Sequence, residues 1–419
     1  MPIEKVEIEN YKGISNLEFT PKKLNIIVGK NNAGKTSILD AINLLYHNNE
    51  ILRKNMSSYF NIYAKEKLAK ISVNTNIGKK SIIIQESQPN EVISKLAEDI
   101  LDIFFEELYR SPNLKNQSKF SKLVVKDLEN FIINSLDDET RSFLIKNSLT
   151  LVNEEKKHSI YYLINQNLME RLGPIMEKVV NQVKKVIPKE GVSSDQSRNL
   201  LMNLEFAEIR TLRMLNWRIS QRLDLKDEES NVLFITSILK NFGSSYQKRL
   251  PKDSEKLYQI EKTIKDHNLI DNLESLDFDN VLFKTEQGIK GHALSFLGDG
   301  FKCIIALLWL LSSRDKDSVV LFDEPEEHMH PGYITELVEF FVKFSRELNI
   351  QFFMTTHSSD LLDIFLSNDL KKEDVEYISK ELRVLKLNKI KNSITLAECL
   401  DYKQCLETRK DLLLDLRGV

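Results

Sequence analysis

A chain of 419 residues, 42% hydrophobic and 29% charged, holds enough material for two or three domains and a large buried core, with an ordinary globular composition. The formal net charge of −3 excludes a global basic field, so any contact with nucleic acid needs a local patch. Cys303, Cys399 and Cys405 form no CxxC pair, which argues against a disulfide framework and a cysteine zinc site and fits a reducing interior.

From the N-terminus, MPIEKVEIENYKG carries charges throughout and has no signal-peptide core. The longest strongly apolar run, CIIALLWLL from Cys303, has about half the length of a membrane span. A cytoplasmic protein without a membrane segment is expected. IEKVEIE alternates like a half-exposed strand, and LNIIVG from Leu24 is a continuous apolar run suited to a central strand. SILDAINLLYH places Ile38, Ala41, Ile42 and Leu45 at helical spacing. KISVNTNI and KSIIIQES read as a hairpin of the same β-rich lobe.

Past residue 91 the pattern becomes helical in EVISKLAEDILDIFFEELYR, FSKLVVKDLENFIINSL and LMERLGPIMEKVVNQVKKVI. IPKEGVSSDQSRN reads as a linker, LEFAEIRTL as a strand, and NVLFITSILKNFGSSYQKRL as helix. NVLFKTEQGIKGHALSFLGDG suggests a strand and hairpin entering a glycine turn. FKCIIALLWLLSS is then helix, SVVLFDEP strand, YITELVEFFVKFSREL helix and IQFFMTTHS strand. Alternating strands and helices at both ends predict an α/β fold with a parallel sheet and a β-rich N-terminal lobe, interrupted by a large α-helical insertion. The expected divisions are 1–90, 91–280 for dimerisation or partner binding, and 281–419.

Gly29, Lys30, Asn31, Asn32, Ala33, Gly34, Lys35 and Thr36 fit GxxxxGK[ST] between a predicted strand and a predicted helix. Glycines let the backbone wrap closely, so that N–H groups and the following helix N-terminus, entered at Ser37, face a phosphate. Lys35 supplies charge to the β- and γ-phosphates of ATP, and the Thr36 hydroxyl ligates Mg²⁺. The plain alternative is a glycine turn capping a helix.

VVLFDEP ends an apolar strand on Asp323 and Glu324. A carboxylate there is costly without compensation, and Mg²⁺ held jointly with Thr36 would supply it. Glu324 then orients or deprotonates the attacking water. A solvent-exposed acidic turn is the alternative. FFMTTHSSDLL ends another apolar strand at His357, a candidate hydrogen-bond partner of the γ-phosphate, although a lone strand-end histidine is often structural. His328 and His330 in EEHMHP lack a third ligand for zinc.

LSFLGDGFK adds a glycine turn, Gly298, Asp299 and Gly300, at the start of an apolar helix. The order P-loop, long insertion, glycine-turn helix, apolar-DE and strand-His resembles the ABC-type ATPases. Within them it is similar to the branch of the chromosome-condensation (SMC) ATPases, RecF and the overcoming-lysogenization-defect (OLD) family. IENYKGISNLEF, LGDGFK, DEPEEHMHP and TTHSSDLL most resemble OLD-like, AAA-family ATP-binding proteins, over roughly residues 1–85 and 280–365.

The resemblance implies an ABC-ATPase head working as a homodimer, with Gly298 to Phe301 of one subunit closing on the nucleotide of the other. Gly298 stands where the family has its signature serine and Ser295 lies three residues earlier, so that contact would rest on backbone N–H groups. Gln85 and Gln88 are positional candidates for a Q-loop, and Lys12 for a phosphate or adenine contact. Full-length OLD proteins carry a Toprim nuclease domain. The roughly sixty residues after His357 read as a strand pair plus a helix without a DxD cluster, so a nuclease would be a separate effector.

The resemblance therefore suggests an ATP-driven dimer switch in DNA repair or defence against phage and plasmids. A DNA-binding clamp using Arg210, Arg213, Arg218 and Arg222 around Trp217 is the alternative, although only Arg218 and Arg222 stand at i, i+4. A transporter subunit is disfavoured by the long insertion.

Overall fold

The structure is a computed structural model that describes residues 2–47, 59–61, 64, 66–109, 122–153, 158–162, 166–186, 201, 203–204, 206–215, 231–236, 253–266, 270, 272–277, 280–293, 297–311, 317–327, 329, 331–389 and 395–409. Two six-stranded sheets organise it. In the first, β1 (Ile3–Tyr11), β2 (Ile14–Phe19), β4 (Leu68–Thr75), β5 (Gly78–Glu86), β6 (Ser148–Asn153) and β7 (His158–Tyr162) pair antiparallel in the order β2-β1-β4-β5-β6-β7. The second has the order β15-β14-β3-β13-β12-β8, from β3 (Leu24–Gly29), β8 (Val232–Ile235), β12 (Val319–Asp323), β13 (Gln351–Thr355), β14 (Leu382–Lys389) and β15 (Thr395–Asp401). All its pairings are parallel except β14 with β15. β9 (Leu273–Leu276), β10 (Asn280–Thr285) and β11 (Gly288–Ala293) form a small third sheet.

The apolar run of β3 is explained by burial on both faces. Ile27, Val319, Leu321, Phe353, Leu385 and Leu387 face a core shared with helix Lys35–Tyr46 and the antiparallel sheet. Their strand neighbours Leu24, Ile26, Val28, Val320, Phe322, Phe352, Met354 and Val384 face a second core. That core includes apolar side chains of helices Asp299–Leu311 and Ile334–Glu347. Buried Gln351 ties the layers together at the sheet's entry end. Its Nε2 donates to the carbonyls of Ile3 at 2.9 Å and Lys22 at 2.8 Å, and its Oε1 accepts the Ile3 N–H at 2.7 Å.

This register decides where polar groups emerge. Asp323 pairs with Thr355, and Thr355 with Ile27, two residues before Gly29. The exits of β3, β12 and β13 therefore lie side by side at the C-terminal edge of the parallel strands, where open α/β sheets bind ligands. The tail contributes to that edge through β14, whose Leu387 lies opposite Gly29.

Gly29 has φ +153°, and a Cβ there would stand 2.7 Å from the Leu387 carbonyl oxygen and 3.3 Å from the Ala33 Cβ. Only glycine fits between these backbones. Gly29→Ala is expected to lower unfolding stability by about 2–4 kcal/mol, from backbone strain plus the clash. Gly13→Ala, whose Cβ would meet nothing within 4 Å among the described residues, should cost under about 1 kcal/mol. Urea titration of the two variants compares them, and equal losses would contradict the packing argument.

Several sequence expectations are corrected. The division at residue 90 falls inside a sheet, because β6 and β7 extend the N-terminal lobe and helices Pro89–Leu108, Lys122–Ser135 and Gln166–Val186 share its core. Among the described residues, the stretch 91–280 therefore holds strands β6 to β9 as well as helices. Within LEFAEIRTL, Leu204 and residues 206–212 are helical, with Leu204, Ala207, Thr211 and Leu215 buried at helical spacing. VLFI, after Asn231, forms β8 because an apolar run fits the edge of the parallel sheet beside β12. The linker expected at 187–199 lies outside the described residues.

Candidate active site

The loop leaving β3 is shaped by its backbone. Gly29, Asn32 and Gly34 have φ of +153°, +62° and +101°, and the Ala33 N–H closes the turn onto the Lys30 carbonyl at 3.1 Å. Gly34 begins helix Lys35–Tyr46 without a side-chain cap, so first-turn amides remain available to an anion. Ala33, Ile38, Leu39, Ala41 and Ile42 seat this unit on the core. Asn31, Asn32, Ala33, Gly34, Lys35, Thr36, Ser37 and His357 line a cavity of about 280 Å³.

Lys35 is 6% exposed, and its Nζ donates to the carbonyls of Gly29 at 2.8 Å and Lys30 at 3.4 Å. Burial pulls its pKa down, against the opposing carboxylates of Glu324, Asp323 and Glu326. The Thr36 hydroxyl donates to both Asp323 oxygens, at 3.0 and 3.2 Å, joining residues 287 positions apart. An alcohol and a carboxylate at this spacing are the hard oxygen donors that Mg²⁺ takes beside phosphate, so the residues fit the ion.

Thr355 was not singled out from sequence. Its hydroxyl donates to Asp323 Oδ1 at 2.6 Å and accepts the Glu324 N–H at 3.1 Å. Its place in a run of polar residues closing a strand is the available signal, but that run does not say which hydroxyl turns toward β12. Glu324 sits at φ +50°, a region costly for a side-chain-bearing residue and common at functional sites. Its Oε1 lies 3.3 Å from His357 Nε2, and Lys35 Nζ lies 3.5 Å from His357 Nδ1. A lysine has only donors, so Nδ1 accepts and the proton resides on Nε2, facing Glu324. Burial first, and then the Lys35 charge, lower the His357 pKa, against the carboxylates of Glu324 and Asp323. A neutral imidazole is favoured.

The other predicted residues lie elsewhere. Gly298 is exposed and precedes helix Asp299–Leu311. Gly298, Asp299 and Gly300 are not among the residues lining the cavity. Lys12 pairs with Asp40 and lies 5.3 and 6.0 Å from the rings of Tyr11 and Tyr59. Gln85 sits within the antiparallel sheet, opposite Leu68 and Thr150, and Gln88 precedes helix Pro89–Leu108. Arg210 lies over the Phe206 ring at 5.6 Å and 4.0 Å from Glu107. Arg213 is exposed. Ser295, His328, His330, Trp217, Arg218 and Arg222 fall outside the described residues. Among the described residues, no helix is long and apolar enough to cross a membrane.

The chain is similar to several known proteins. The AAA ATPase domain family matches residues 1–362. An ATP/GTP phosphatase of Helicobacter pylori is 25% identical over 390 residues, covering 90% of this chain and 91% of that protein. An uncharacterized protein of Methanocaldococcus jannaschii is 32% identical over 123 residues, 29% of this chain and 100% of that one. Among solved structures, the SMC head domain from Thermotoga maritima covers 96% of this chain and 100% of its own, at 9% identity and a TM-score of 0.43. Matched by this family over most of its length, the chain belongs to the AAA ATPase domain family.

Proposed function

We propose that this protein hydrolyses ATP slowly to ADP and phosphate and uses the cycle to switch a homodimer between open and closed states. The observation that carries the reading is the Thr36–Asp323 contact, beside which Lys35, Glu324 and His357 meet. Gly29 through Ser37 bind the phosphates through backbone N–H groups, and Lys35 exchanges its two carbonyl partners for phosphate oxygens. Thr36 and Asp323 hold Mg²⁺, which when bound neutralises charge on the β- and γ-phosphate oxygens. Glu324, held by Thr355, accepts the proton of the attacking water. His357 presents its Nε2 proton, the one that faces Glu324, toward the γ-phosphate.

Gly298, Asp299 and Gly300 of the second copy complete the site. A Cβ at Gly298 would meet nothing within 4 Å among the described residues, in keeping with a turn open to a partner. The helices between residues 91 and 280 carry the change outward to a partner. The OLD-like motifs favour work in the cytoplasm on DNA repair or defence against phage and plasmids, together with a separate effector such as a nuclease. The clamp reading is weaker, because Arg210 is engaged by Glu107 and Phe206.

Phosphate release from ATP, followed with Mg²⁺ and with EDTA over a range of protein concentrations, tests the proposal. Magnesium-dependent turnover that rises per chain with protein concentration is expected. Release that ignores magnesium would refute the ATPase site, and turnover independent of protein concentration would refute the dimer.

A further inference from the structure

The turn after β12 does more than carry Glu324. It folds back through the Glu327 N–H to the Glu324 carbonyl and the Met329 N–H to the Glu326 carbonyl, each at 3.0 Å. This brings the Glu326 side chain under the end of β13. Its Oε1 accepts the Thr356 hydroxyl, the His357 N–H at 3.3 Å and the Ser358 N–H at 3.2 Å. Ser358 in turn caps helix Ser359–Phe365 by accepting from Asp360 and Leu361 at 3.2 and 3.3 Å. That helix is fixed by Leu361, Leu362 and Phe365, all buried. One oxygen thus gathers three successive donors around His357.

We propose that Glu326 is a positioning residue, fixing the His357 backbone so that the imidazole stays within reach of both Glu324 and Lys35. Glu324 and Glu326 flank buried Pro325 in one turn. The Glu324 backbone is tied to β13 by Thr355 and the His357 backbone is tied to the turn after β12 by Glu326. These two crossed ties set the 3.3 Å contact between Glu324 and His357.

A purely stabilising peg explains the arrangement less well. Glu326 Oε2 is buried without a hydrogen-bond partner among the described residues, and burial pushes the carboxyl's pKa up despite the Thr356 hydroxyl and the backbone N–H groups. A half-satisfied buried acid costs stability, and costs of this kind are kept where geometry matters for function.

The proposal rests on the ATPase reading and is tested by steady-state hydrolysis with separate kcat and KM. Glu326→Gln keeps an acceptor at the right reach without the charge, whereas Glu326→Asp keeps the charge and loses the reach. Glu326→Gln should retain kcat within about threefold, while Glu326→Asp and Glu326→Ala lose about tenfold or more through misplacement. KM for ATP should stay within about twofold in all three, because the P-loop is untouched. In a His357→Ala background, Glu326→Asp should cause no additional loss.

Full kcat in Glu326→Asp, loss in Glu326→Gln, or a loss that persists undiminished without His357 would overturn the assignment while leaving the ATPase reading intact. A parent protein with no turnover would overturn both.

Discussion

Lys35→Ala is expected to reduce ATP hydrolysis by about 100-fold or more, the scale set by removing one preorganised electrostatic contact from a reacting centre. The native ammonium is buried and turned onto the Gly29 and Lys30 carbonyls, which the proposed cycle replaces with phosphate oxygens. Alanine leaves those carbonyls without their charged donor and leaves the phosphates to backbone amides alone. The fold should survive, since Ile38, Leu39 and Ile42 anchor the helix. Thermal unfolding separates the effects. Parent protein with ATP at 100 times Kd gains about 2.7 kcal/mol from binding alone, and the variant should show little of that gain at the same ATP concentration. Parental hydrolysis by the variant would mean that the cavity beside Lys35 is not the reaction site.

Glu324→Gln should bind ATP at close to the parent affinity and hydrolyse it about 1,000-fold more slowly, within the range for loss of a general base. The amide is nearly isosteric and leaves the backbone tie from Thr355 in place, but it cannot take the proton from water. Lost turnover with retained affinity should trap the closed state, so sedimentation in ATP should show dimers that the parent populates only transiently. Turnover at the parent rate would remove Glu324 from the chemistry. Slow turnover without dimers would keep Glu324 as base and discard the switch.

How much of this was written in the chain depends on the distance over which each feature is encoded. The loop from Gly29 to Thr36 is a local pattern between a strand and a helix and is legible because its chemistry is contiguous. Asp323 and Glu324 are legible for the opposite reason, as acids that an apolar strand should not end on without compensation. The Thr36–Asp323 contact follows from strand order. Nothing local to β14 indicates that it would slot beside β3 and crowd Gly29.

Other misreadings have similarly physical roots. LEFAEIRTL contains a few alternating residues that resemble a strand, but its buried positions follow the helical period set by neighbours further along. NVLFI is a short apolar run whose periodicity does not separate strand from helix, and only pairing with β12 decides it. β6 and β7 are short strands among long helices, and they extend the N-terminal sheet only because β6 pairs with β5, more than sixty positions earlier, and β7 with β6. Glu326 and Thr355 look in sequence like neighbours of functional residues, and their part emerges only when β12 and β13 are set side by side.

Calorimetric ATP titration of the parent, Thr36→Ala, Asp323→Ala and the double variant, each with Mg²⁺ and with EDTA, puts the convergence of the two strand ends to the most direct test. Tight binding by the parent only with magnesium, loss of most of that advantage in either single variant, and no further loss in the double variant are predicted, because both side chains serve one ion. Magnesium-independent affinity in the parent, or two full and additive losses in the double variant, would contradict a shared site.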